Sequence, residues 1–391
     1  MKEGLEYKKL GEVCDFEGGS QPPKSEWINH PQEGFVRMLQ IRDFTQSRSF
    51  EIEYVKITKK IRICKADDIL IGRYGASVGK ILTGLAGAYN VAIIKSIPDE
   101  KVIAKSYIRR YFESSLFQSV LFKVCASRAA QAGFSKDDIC DALIPVPSLS
   151  EQQSIVDYLD STFAKIDAMK TNAEKALSEA KALFQASLKE MLEPKEGWEE
   201  KTLKEIGQTQ TGTTPSKSIK SFYGGEIPFI RPAELDVDGK GTIEYNSELK
   251  LTSEGASKSR TISSNSTLMC CIGSVGKTGY ATRDVTCNQQ INTITPYDDY
   301  NSKFVYYALL TPTFQNEVIK IANSAKATLA IISKGKWEVL SIPIPPLSEQ
   351  QSIVNTLDTL SSKVQRLQAN YDKISLECDA LKQAILRQVF E

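Results

Sequence analysis

One segment of the sequence has the residue types that could bind a nucleotide phosphate: Gly273–Thr278 reads Gly-Ser-Val-Gly-Lys-Thr. A phosphate-binding P-loop has the pattern Gly-x-x-x-x-Gly-Lys-Ser/Thr, in which backbone N–H groups surround the phosphates and the lysine adds a positive charge. Here Cys271 occupies the position of the first glycine, and the related segment Gly75–Ile81 has no hydroxyl residue after its lysine. We therefore interpret both segments as turns between strands, each with a lysine that could face a nucleic-acid phosphate.

Other residue types that commonly carry catalysis are few or scattered. The chain has one histidine, His30, which precedes Pro31 in a loop-like segment, and this argues against a histidine-based triad. Its eight cysteines form no Cys-x-x-Cys pair, which argues against a zinc ribbon or a disulfide scaffold and favours reduced, mostly buried thiols. Neither a Gly-x-Gly-x-x-Gly cofactor loop nor an Asn-Pro-Pro-Tyr methyltransferase motif is present. The sequence predicts no catalytic residue and no metal site.

The composition is that of an ordinary globular protein, with 41% hydrophobic and 25% charged residues. No run of about 18 apolar residues is present, and the polar start Met1–Glu6 does not fit a signal peptide, so we expect a cytoplasmic protein. The formal net charge of +1 is weak support for a nucleic-acid partner, because domains that bind nucleic acid are commonly basic.

An internal repeat is the most informative pattern in the chain. The octapeptide Leu149–Val156, Leu-Ser-Glu-Gln-Gln-Ser-Ile-Val, recurs unchanged at Leu347–Val354, 198 positions later. Each copy follows a proline-bearing stretch and begins a segment in which apolar residues recur at alternating spacings of four and three, as in coiled-coil helices. The pattern predicts two copies of one unit, each a globular part followed by a long helix.

The repeating apolar residues are expected to form the seam of an intramolecular antiparallel helix pair, in which small side chains of the first helix face larger ones of the second. The seam residues are Ile155, Leu159, Ile166, Met169 and Leu183 in the first helix, and Ile353, Leu357, Leu360, Val364, Leu367, Ile374 and Leu381 in the second. Ser150 and Ser348 are predicted to cap the helices, with Gln153 and Gln351 completing a capping box. Roughly forty helical residues would make a rod about 60 Å long, which suits a spacer.

The globular parts have mixed strand and helix patterns that follow the same order in both copies. Short β-rich runs come first, and an amphipathic helix follows near residue 105 in the first copy and near residue 303 in the second. Matching segments can be aligned, namely Gly19–Pro22 with Gly212–Pro215, Ser77–Lys80 with Ser274–Lys277, and Asn90 with Asn288. The two globular parts are therefore expected to share a fold and to differ in detail.

Two motifs resemble the specificity subunit of type I restriction-modification enzymes. One is the proline-bearing stretch and octapeptide at the start of each long helix, and the other is Thr211–Ser216 with the following Phe222–Phe229. The resemblance covers essentially the whole chain, although no Tyr-Gly-Gly element follows Gly18–Pro23 in the first copy. It implies an α+β fold of two tandem mixed α/β target recognition domains, separated by two long antiparallel coiled-coil helices, with a pseudo-two-fold internal repeat. The implied boundaries are residues 1–147 and 194–346 for the recognition domains, and 148–193 and 347–391 for the spacer helices.

In that family each recognition domain reads one half of a bipartite, asymmetric DNA site, while the helix pair sets the gap and docks methyltransferase subunits. The resemblance implies double-stranded DNA, two methyltransferase subunits and, in the restriction form of such complexes, two restriction/translocase subunits as partners, and no membrane. S-adenosylmethionine, ATP and Mg are then expected in those partners, with no cofactor bound by this chain. The chain itself would be a non-catalytic DNA-recognition subunit of a complex that methylates adenine.

The resemblance implies that DNA contacts come from exposed polar residues of the globular parts. Arginine and lysine suit guanine edges or phosphates, and asparagine and glutamine suit adenine. The candidates are Arg37, Arg42, Lys59, Lys60, Arg62, Arg73, Lys80, Asn90, Arg128 and Gln131 in the first copy, and Lys217, Arg231, Lys258, Arg260, Lys277, Asn288, Gln289, Gln290, Lys326 and Lys334 in the second.

Three alternatives stay open at the level of sequence. The chain could be a self-contained DNA enzyme with an unrecognised site, a coiled-coil scaffold that binds no DNA, or the specificity subunit of a related stand-alone modification system. Enzymatic activity of the purified chain alone on DNA would favour the first alternative. DNA binding that depends on sequence and falls with salt would exclude the scaffold.

Overall fold

The computed structural model describes residues 6–46, 50–126, 133–235, 249–324 and 329–391. The chain divides into two compact units, of which the first comprises residues 1–171 and 373–391 and the second residues 172–372. Among the described residues, no helix combines the length and the apolar character needed to cross a membrane.

The first unit contains three small sheets and a layer of helices. Its strands are β1 (Tyr7–Lys9), β2 (Cys14–Gly18), β3 (Phe35–Leu39), β4 (Tyr54–Lys56), β5 (Ile63–Cys64), β6 (Ile69–Gly72), β7 (Ile81–Leu82), β8 (Gly87–Tyr89), β9 (Ile93–Pro98) and β10 (Leu143–Pro145). Its helices are α1 (Leu10–Val13), α2 (Ile41–Thr45), α3 (Lys105–Glu113), α4 (Ser115–Ala126), α5 (Asp137–Cys140) and the beginning of α6 (Leu149–Met191). The strand orders are β2-β9-β6-β7, β4-β3-β8-β5 and β1-β10, and only the β3–β8 pairing among these described strands is parallel.

The second unit repeats this arrangement. Its strands are β11 (Glu199–Thr202), β12 (Gly207–Thr211), β13 (Tyr223–Ile230), β14 (Lys250–Leu251), β15 (Thr261–Ile262), β16 (Ser266–Cys270), β17 (Thr278–Ala281), β18 (Val285–Cys287), β19 (Ile291–Pro296) and β20 (Ser341–Ile344). Its helices are α7 (Leu203–Ile206), α8 (Ser253–Ser257), α9 (Ser302–Leu310), α10 (Pro312–Ser324), α11 (Lys334–Trp337) and most of α12 (Leu347–Phe390). The orders β12-β19-β16-β17, β14-β13-β18-β15 and β11-β20 match those of the first unit.

The correspondence between the units extends to strand register. Glu17 on β2 lies opposite Lys95 on β9, and Gln210 on β12 lies opposite Thr293 on β19. Each of these strand pairs ends one residue later, at the last residue of β2 or β12. Equivalent residues in the two units can therefore be compared position by position.

The core of the first unit is closed by the end of α12. Phe390 is only 1% exposed, and its ring lies 5.3 Å from that of Tyr107 and 5.7 Å from that of Tyr111, both on α3. Tilted and edge-on aromatic pairs at such distances add to the stabilisation from burial alone. The first unit is thus built from two separate stretches of the chain.

The two long helices run antiparallel where they meet within the first unit. Asp167 of α6 pairs with Lys382 of α12 at 2.5 Å, and Lys170 pairs with Asp379 at 3.6 Å. Residue numbers rise along one helix as they fall along the other, so the predicted antiparallel pairing is confirmed here. In the second unit, Phe184 and Leu188 of α6 share a buried cluster with Leu357 of α12.

The predicted helix seam is wrong at three positions. Met169, Leu183 and Leu381 are 59%, 57% and 49% exposed. A straight α-helix has 3.6 residues per turn, so its buried stripe drifts away from a strict heptad pattern. Aromatic and aliphatic neighbours are buried instead, and they are Phe163, Leu177 and Phe184. The other predicted seam residues are buried, namely Leu159, Ile166, Ile353, Leu357 and Val364, or half-buried, namely Ile155, Leu360, Leu367 and Ile374.

The predicted helix caps are also displaced. Helix α6 begins at Leu149, so Ser148 and not Ser150 precedes its first turn. The Ser148 hydroxyl and backbone N–H both donate to Glu151 Oε2, at 2.6 and 3.0 Å, as in a capping box. In α12 the corresponding position is Pro346, which cannot provide a side-chain cap, and Ser348 lies inside the first turn.

Candidate nucleic-acid interface

The repeated octapeptide contains a buried glutamine that fixes the start of each long helix to its globular part. Gln152 accepts a hydrogen bond from the backbone N–H of Ala104 at 2.7 Å and donates to the carbonyl oxygens of Val102 and Pro147. Its side chain is fully buried, so these partners replace the water that the amide would otherwise bind. Sequence reasoning missed this role, because it assigned capping to the neighbouring Gln153 and Gln351 and gave no role to Gln152.

The second unit uses the equivalent residue in the same way. Gln350 accepts a hydrogen bond from the backbone N–H of Asn301 at 2.8 Å and donates to the carbonyl oxygen of Pro345 at 2.9 Å. Asn301 in turn caps α9, since its side chain accepts hydrogen bonds from the N–H groups of Lys303 and Phe304. The octapeptide therefore attaches the start of each long helix to the globular part of its unit.

The aligned glycine and asparagine segments meet within each unit. A Cβ added to Gly19 would lie 2.0 Å from the carbonyl oxygen of Asn90, and one added to Gly212 would lie 2.3 Å from that of Asn288. Only glycine lets the loop after β2 or β12 pass so close to the loop after β8 or β18. This crossing brings several of the predicted DNA-contact residues to one surface in each unit.

The two asparagines use their side chains inside these loops. Asn90 accepts a hydrogen bond from the backbone N–H of Ala92 at 3.2 Å, and Asn288 accepts one from Gln290 at 3.1 Å. Asn288 also donates to the side-chain oxygen of Gln290 at 2.8 Å and is buried. Asparagine side chains commonly stabilise turns in this manner. Both side chains therefore stabilise the backbone of their own loops.

The lysine-bearing segments that resemble a P-loop are turns between strands, as the sequence indicated. The first joins β6 to β7 and the second joins β16 to β17. Gly79 and Gly276 have φ angles of +78° and +93°, which favour glycine. The amide of Gln118 on α4 donates to the Gly79 carbonyl oxygen at 2.8 Å and holds the first turn against the helix. Lys80 is exposed at the end of this turn, and Lys277 is half-buried.

In the first unit, the surface arginine Arg62 forms an ion pair with a carboxylate. The backbone N–H of Arg62 donates to Ser20 Oγ at 2.9 Å, and its guanidinium lies 3.0 Å from Glu17 Oε1. Glu17 also accepts a hydrogen bond from the Tyr89 hydroxyl at 2.9 Å and lies 3.3 Å from Lys95 Nζ. Burial, and then the hydrogen bond to Glu17, raises the pKa of Tyr89, so the hydroxyl stays protonated and donates.

In the second unit, the matching arginine has no such partner. Arg260 donates to the backbone carbonyl oxygen of Thr211 at 2.6 Å, and within the described part of the chain no carboxylate pairs with it. The neighbouring Ser259 hydroxyl donates to the Thr213 carbonyl oxygen at 2.5 Å, and Thr214 donates to the side chain of Gln289. This surface combines a guanidinium that has no carboxylate partner among the described residues with hydroxyl and amide groups, which suit phosphate and base edges.

Three other arginines that were predicted to contact DNA form ion pairs. Arg37 lies 2.7 Å from Asp43, Arg42 lies 2.7 Å from Glu53, and Arg231 lies 2.7 Å from Glu234. Arg231 borders an open cleft of about 490 Å³. Its other lining residues are Pro232, Ala233, Ile272, Gly273, Ser274, Gln290 and Leu329. The cleft thus brings Arg231 and Gln290, two predicted DNA-contact residues, to one place.

The remaining predicted residues are spread over the two units. Exposed lysines are Lys59, Lys60, Lys217 and Lys258. The Arg73 side chain donates to the carbonyl oxygen of Phe134 at 3.2 Å, and Lys334 pairs with Glu338. Arg128, Gln131 and Lys326 lie outside the described residues.

The residues that sequence reasoning missed are the hydroxyl groups and Glu17 around the two surface arginines. A signal was available, because Lys60-x-Arg62 recurs 198 positions later as Lys258-x-Arg260, the same separation as the octapeptide. The carboxylate could not be assigned in this way, since 45 positions separate Glu17 from Arg62 and only the fold brings them together.

The cysteines are structural. All eight are free thiols, and six of them are buried, as expected from the sequence. Burial raises the pKa of Cys14, Cys271 and Cys287 to about 12, so these thiols are neutral at physiological pH. Within the described ranges, no group of three or more histidine, cysteine, aspartate or glutamate side chains is arranged to hold a metal ion.

Comparisons with known proteins agree with this architecture. A family model described as the type I restriction modification DNA specificity domain matches residues 2–178 and again residues 195–375. The specificity subunit of the type I restriction enzyme HindI of Haemophilus influenzae is 32% identical over 133 residues, which are 34% of this chain and only 29% of that protein. The EcoBI specificity subunit of Escherichia coli is 22% identical over an alignment that covers 94% of this chain and 81% of that one.

A solved structure from work on complex assembly and conformational transition of the type I R-M system has the same fold. The TM-score is 0.76 at 19% identity, and the match covers 99% of this chain and 98% of that chain. The family model covers well over half of this chain and matches both copies of the internal repeat. The chain therefore belongs to the family of type I restriction-modification DNA specificity subunits.

Proposed function

We propose that each unit reads one half of a bipartite, asymmetric DNA site as part of a type I restriction-modification complex. The observation that carries this proposal is the repetition of one topology with different polar side chains at equivalent surface positions, such as Glu17 and Gln210. Half-sites of different sequence require different groups at the same place, because base edges differ in their donors and acceptors.

The surfaces that carry Arg62 and Arg260 are the proposed DNA-contact regions. Both lie beside the crossing of the loops after β2 and β8, or after β12 and β18. The chain acts as a recognition subunit without catalysis of its own. In this proposal S-adenosylmethionine, ATP and Mg belong to the methyltransferase and restriction/translocase partners, with two methyltransferase subunits and up to two of the others.

The paired helices are proposed to set the gap between half-sites and to dock the methyltransferase subunits. Support comes from large apolar side chains that are exposed on α6 and α12, among them Tyr158, Met169, Leu183, Leu376 and Leu381. Exposed large apolar side chains favour contact with another protein, because docking removes them from water. Three of them are the apolar residues that a heptad pattern alone assigned to the seam, namely Met169, Leu183 and Leu381.

The proposal is tested by mapping modified adenines. The chain is expressed with its methyltransferase partner in a bacterial host without adenine methylation, and single-molecule sequencing locates the modified bases. We expect one motif with two defined, different halves separated by a fixed unspecified gap. Modification at a continuous motif, or at adenines without sequence preference, would contradict the proposal.

The gap is tested by removing one heptad from each helix. The deletion removes residues 172–178 of α6 and 371–377 of α12, and it leaves the ion pairs Asp167–Lys382 and Lys170–Asp379 of the first unit in place. One heptad is about 10.5 Å of helix, or about three base pairs. We expect a gap shorter by about that amount and both half-sites unchanged. A change in either half-site sequence would show that the helices do more than set the spacing.

A further inference from the structure

Arg62 and Arg260 occupy the same position in the two units. Arg62 directly precedes β5, whose first residue pairs with Ala88 on β8, and Arg260 directly precedes β15, whose first residue pairs with Thr286 on β18. The parallel neighbours of β8 and β18 are β3 and β13, which pair with Ala88 and Thr286 as well. Strand register thus makes the two arginines equivalent without any appeal to sequence similarity.

Their surroundings differ at one decisive position. Glu17 at the penultimate residue of β2 pairs with Arg62, whereas the same position of β12 is Gln210, which carries no charge. Glu17 is itself anchored by Tyr89 and Lys95, and the equivalent residues of the second unit are Cys287 and Thr293. Arg260 instead donates to a backbone carbonyl oxygen and keeps its full positive charge toward solvent.

We propose that the penultimate residue of β2 or β12, which is Glu17 or Gln210, determines how strongly Arg62 or Arg260 of the same unit binds DNA phosphate. The inference rests on the proposed function of the two units and assigns a specific residue pair to it. Arg260 with Gln210 binds phosphate directly, while Arg62 must first exchange Glu17 for the phosphate. A guanidinium that is already neutralised releases few counterions on binding, so it contributes little to the salt dependence of affinity.

The test is the salt dependence of DNA binding by the full chain in complex with its methyltransferase partner. The probe is a 30-base-pair duplex carrying the motif obtained by adenine mapping, and fluorescence anisotropy gives Kd between 50 and 200 mM KCl. Glu17→Gln copies the second unit, and we expect the slope of log K against log salt to become steeper by about 0.9. Gln210→Glu copies the first unit, and we expect a slope shallower by about the same amount.

These slopes correspond to a change of about threefold to fourfold in affinity over that range of salt. Arg62→Ala has a small effect in the natural chain and abolishes the gain when it is combined with Glu17→Gln. Arg260→Ala reproduces the effect of Gln210→Glu. The decisive result is that Glu17→Gln and Gln210→Glu, at equivalent positions, change the slope of log K against log salt in opposite directions.

Two further variants control for net charge alone. Glu100→Gln removes an exposed carboxylate beyond the far end of β9, and Asn316→Asp adds one on the exposed face of α10. Neither is expected to change the slope. If the two controls shift it as much as the exchanges do, or if the gain of Glu17→Gln survives Arg62→Ala, the inference is overturned.

Failure of the inference can be distinguished from failure of the proposed function. A natural complex that binds the duplex with sequence preference, together with exchanges that leave the slope unchanged, contradicts the inference alone. A natural complex that binds no DNA contradicts the proposed function and the inference with it. Urea unfolding of each variant verifies that a change in the salt dependence of binding does not come from unfolding of the protein.

Discussion

The two units of this protein have the same scaffold and different surfaces. Buried Gln152 and Gln350, and the close-approach glycines Gly19 and Gly212, have the same role in each unit. The surface arginine is ion-paired in one unit and free of carboxylate partners among the described residues of the other. Buried polar groups must be satisfied wherever the fold is used, whereas an exposed ion pair contributes little to stability and can be changed freely.

The largest expected effect concerns the scaffold that both units share. Gln152→Ala leaves one N–H group and two carbonyl oxygens in a buried place without partners, and we expect a loss of about 3 kcal/mol. Gln350→Ala removes two such bonds, and we expect about 2 kcal/mol. Urea unfolding measures both. Gln153→Ala, at the exposed neighbouring residue, is the matched control and should change stability by less than about 0.5 kcal/mol.

The hairpin turns provide a second comparison of scaffolds. An alanine Cβ at Gly79 or Gly276 would lie 2.2 or 2.3 Å from the amide oxygen of Gln118 or Gln315, and φ is positive at both glycines. We expect Gly79→Ala and Gly276→Ala each to cost about 2 kcal/mol, from backbone strain and a displaced amide. Gly75→Ala, with positive φ but open space, should cost about 1 kcal/mol in the same thermal or urea unfolding measurement. Equal costs at Gly75 and Gly79 would contradict the role of Gln118.

A smaller effect is expected where the units differ. Tyr89→Phe removes the hydroxyl that donates to Glu17, while the ring keeps its packing, and we expect a loss of about 1 kcal/mol. Tyr54→Phe is the control, because the Tyr54 hydroxyl has no hydrogen-bond partner in the described part of the chain. The comparison is made by urea unfolding. A loss as large for Tyr54→Phe would show that Glu17 is not held by the Tyr89 hydroxyl.

The smallest effect separates the arginines from their neighbours. Lys60 and Lys258 are both exposed and lie two residues before the equivalent arginines. We expect Lys60→Ala and Lys258→Ala each to make the slope of log K against log salt shallower by about 0.9, which is about threefold to fourfold in affinity between 50 and 200 mM salt. The two lysines should therefore behave alike where the two arginines do not. A difference between the lysines would mean that the units face DNA unequally as a whole.

Much of the architecture was predictable because it repeats or has a strong period. The duplicated octapeptide located both long helices, and the alternating spacing of apolar residues indicated that they pack together. The antiparallel direction was expected because each helix carries its own globular part, and Asp167 and Lys382 confirm it within the first unit. The phase of the seam was less predictable. A strict heptad selected Met169 and Leu183, but the true helical repeat buries Phe163 and Phe184.

The candidate site was predictable only as a list of residue types. Cations and amides could be chosen as DNA contacts, but whether Arg62 is paired depends on Glu17, which is distant in sequence. The fold brings them together where Ser20, just after β2, accepts a hydrogen bond from the Arg62 backbone N–H. Asn90 and Asn288 were chosen as adenine readers, yet their side chains also stabilise their own loops. Such competing roles depend on local backbone geometry that spacing along a chain does not encode.

The burial of Phe390 against Tyr107 has a consequence for biosynthesis. Proteins emerge from the ribosome from the amino end, and domains commonly fold in that order. Here the first unit lacks part of its core until residue 390 has left the exit tunnel, whereas the second unit is made from one continuous stretch. The later-synthesised unit can thus reach its native state first, and the earlier one waits until the end of α12 has been synthesised.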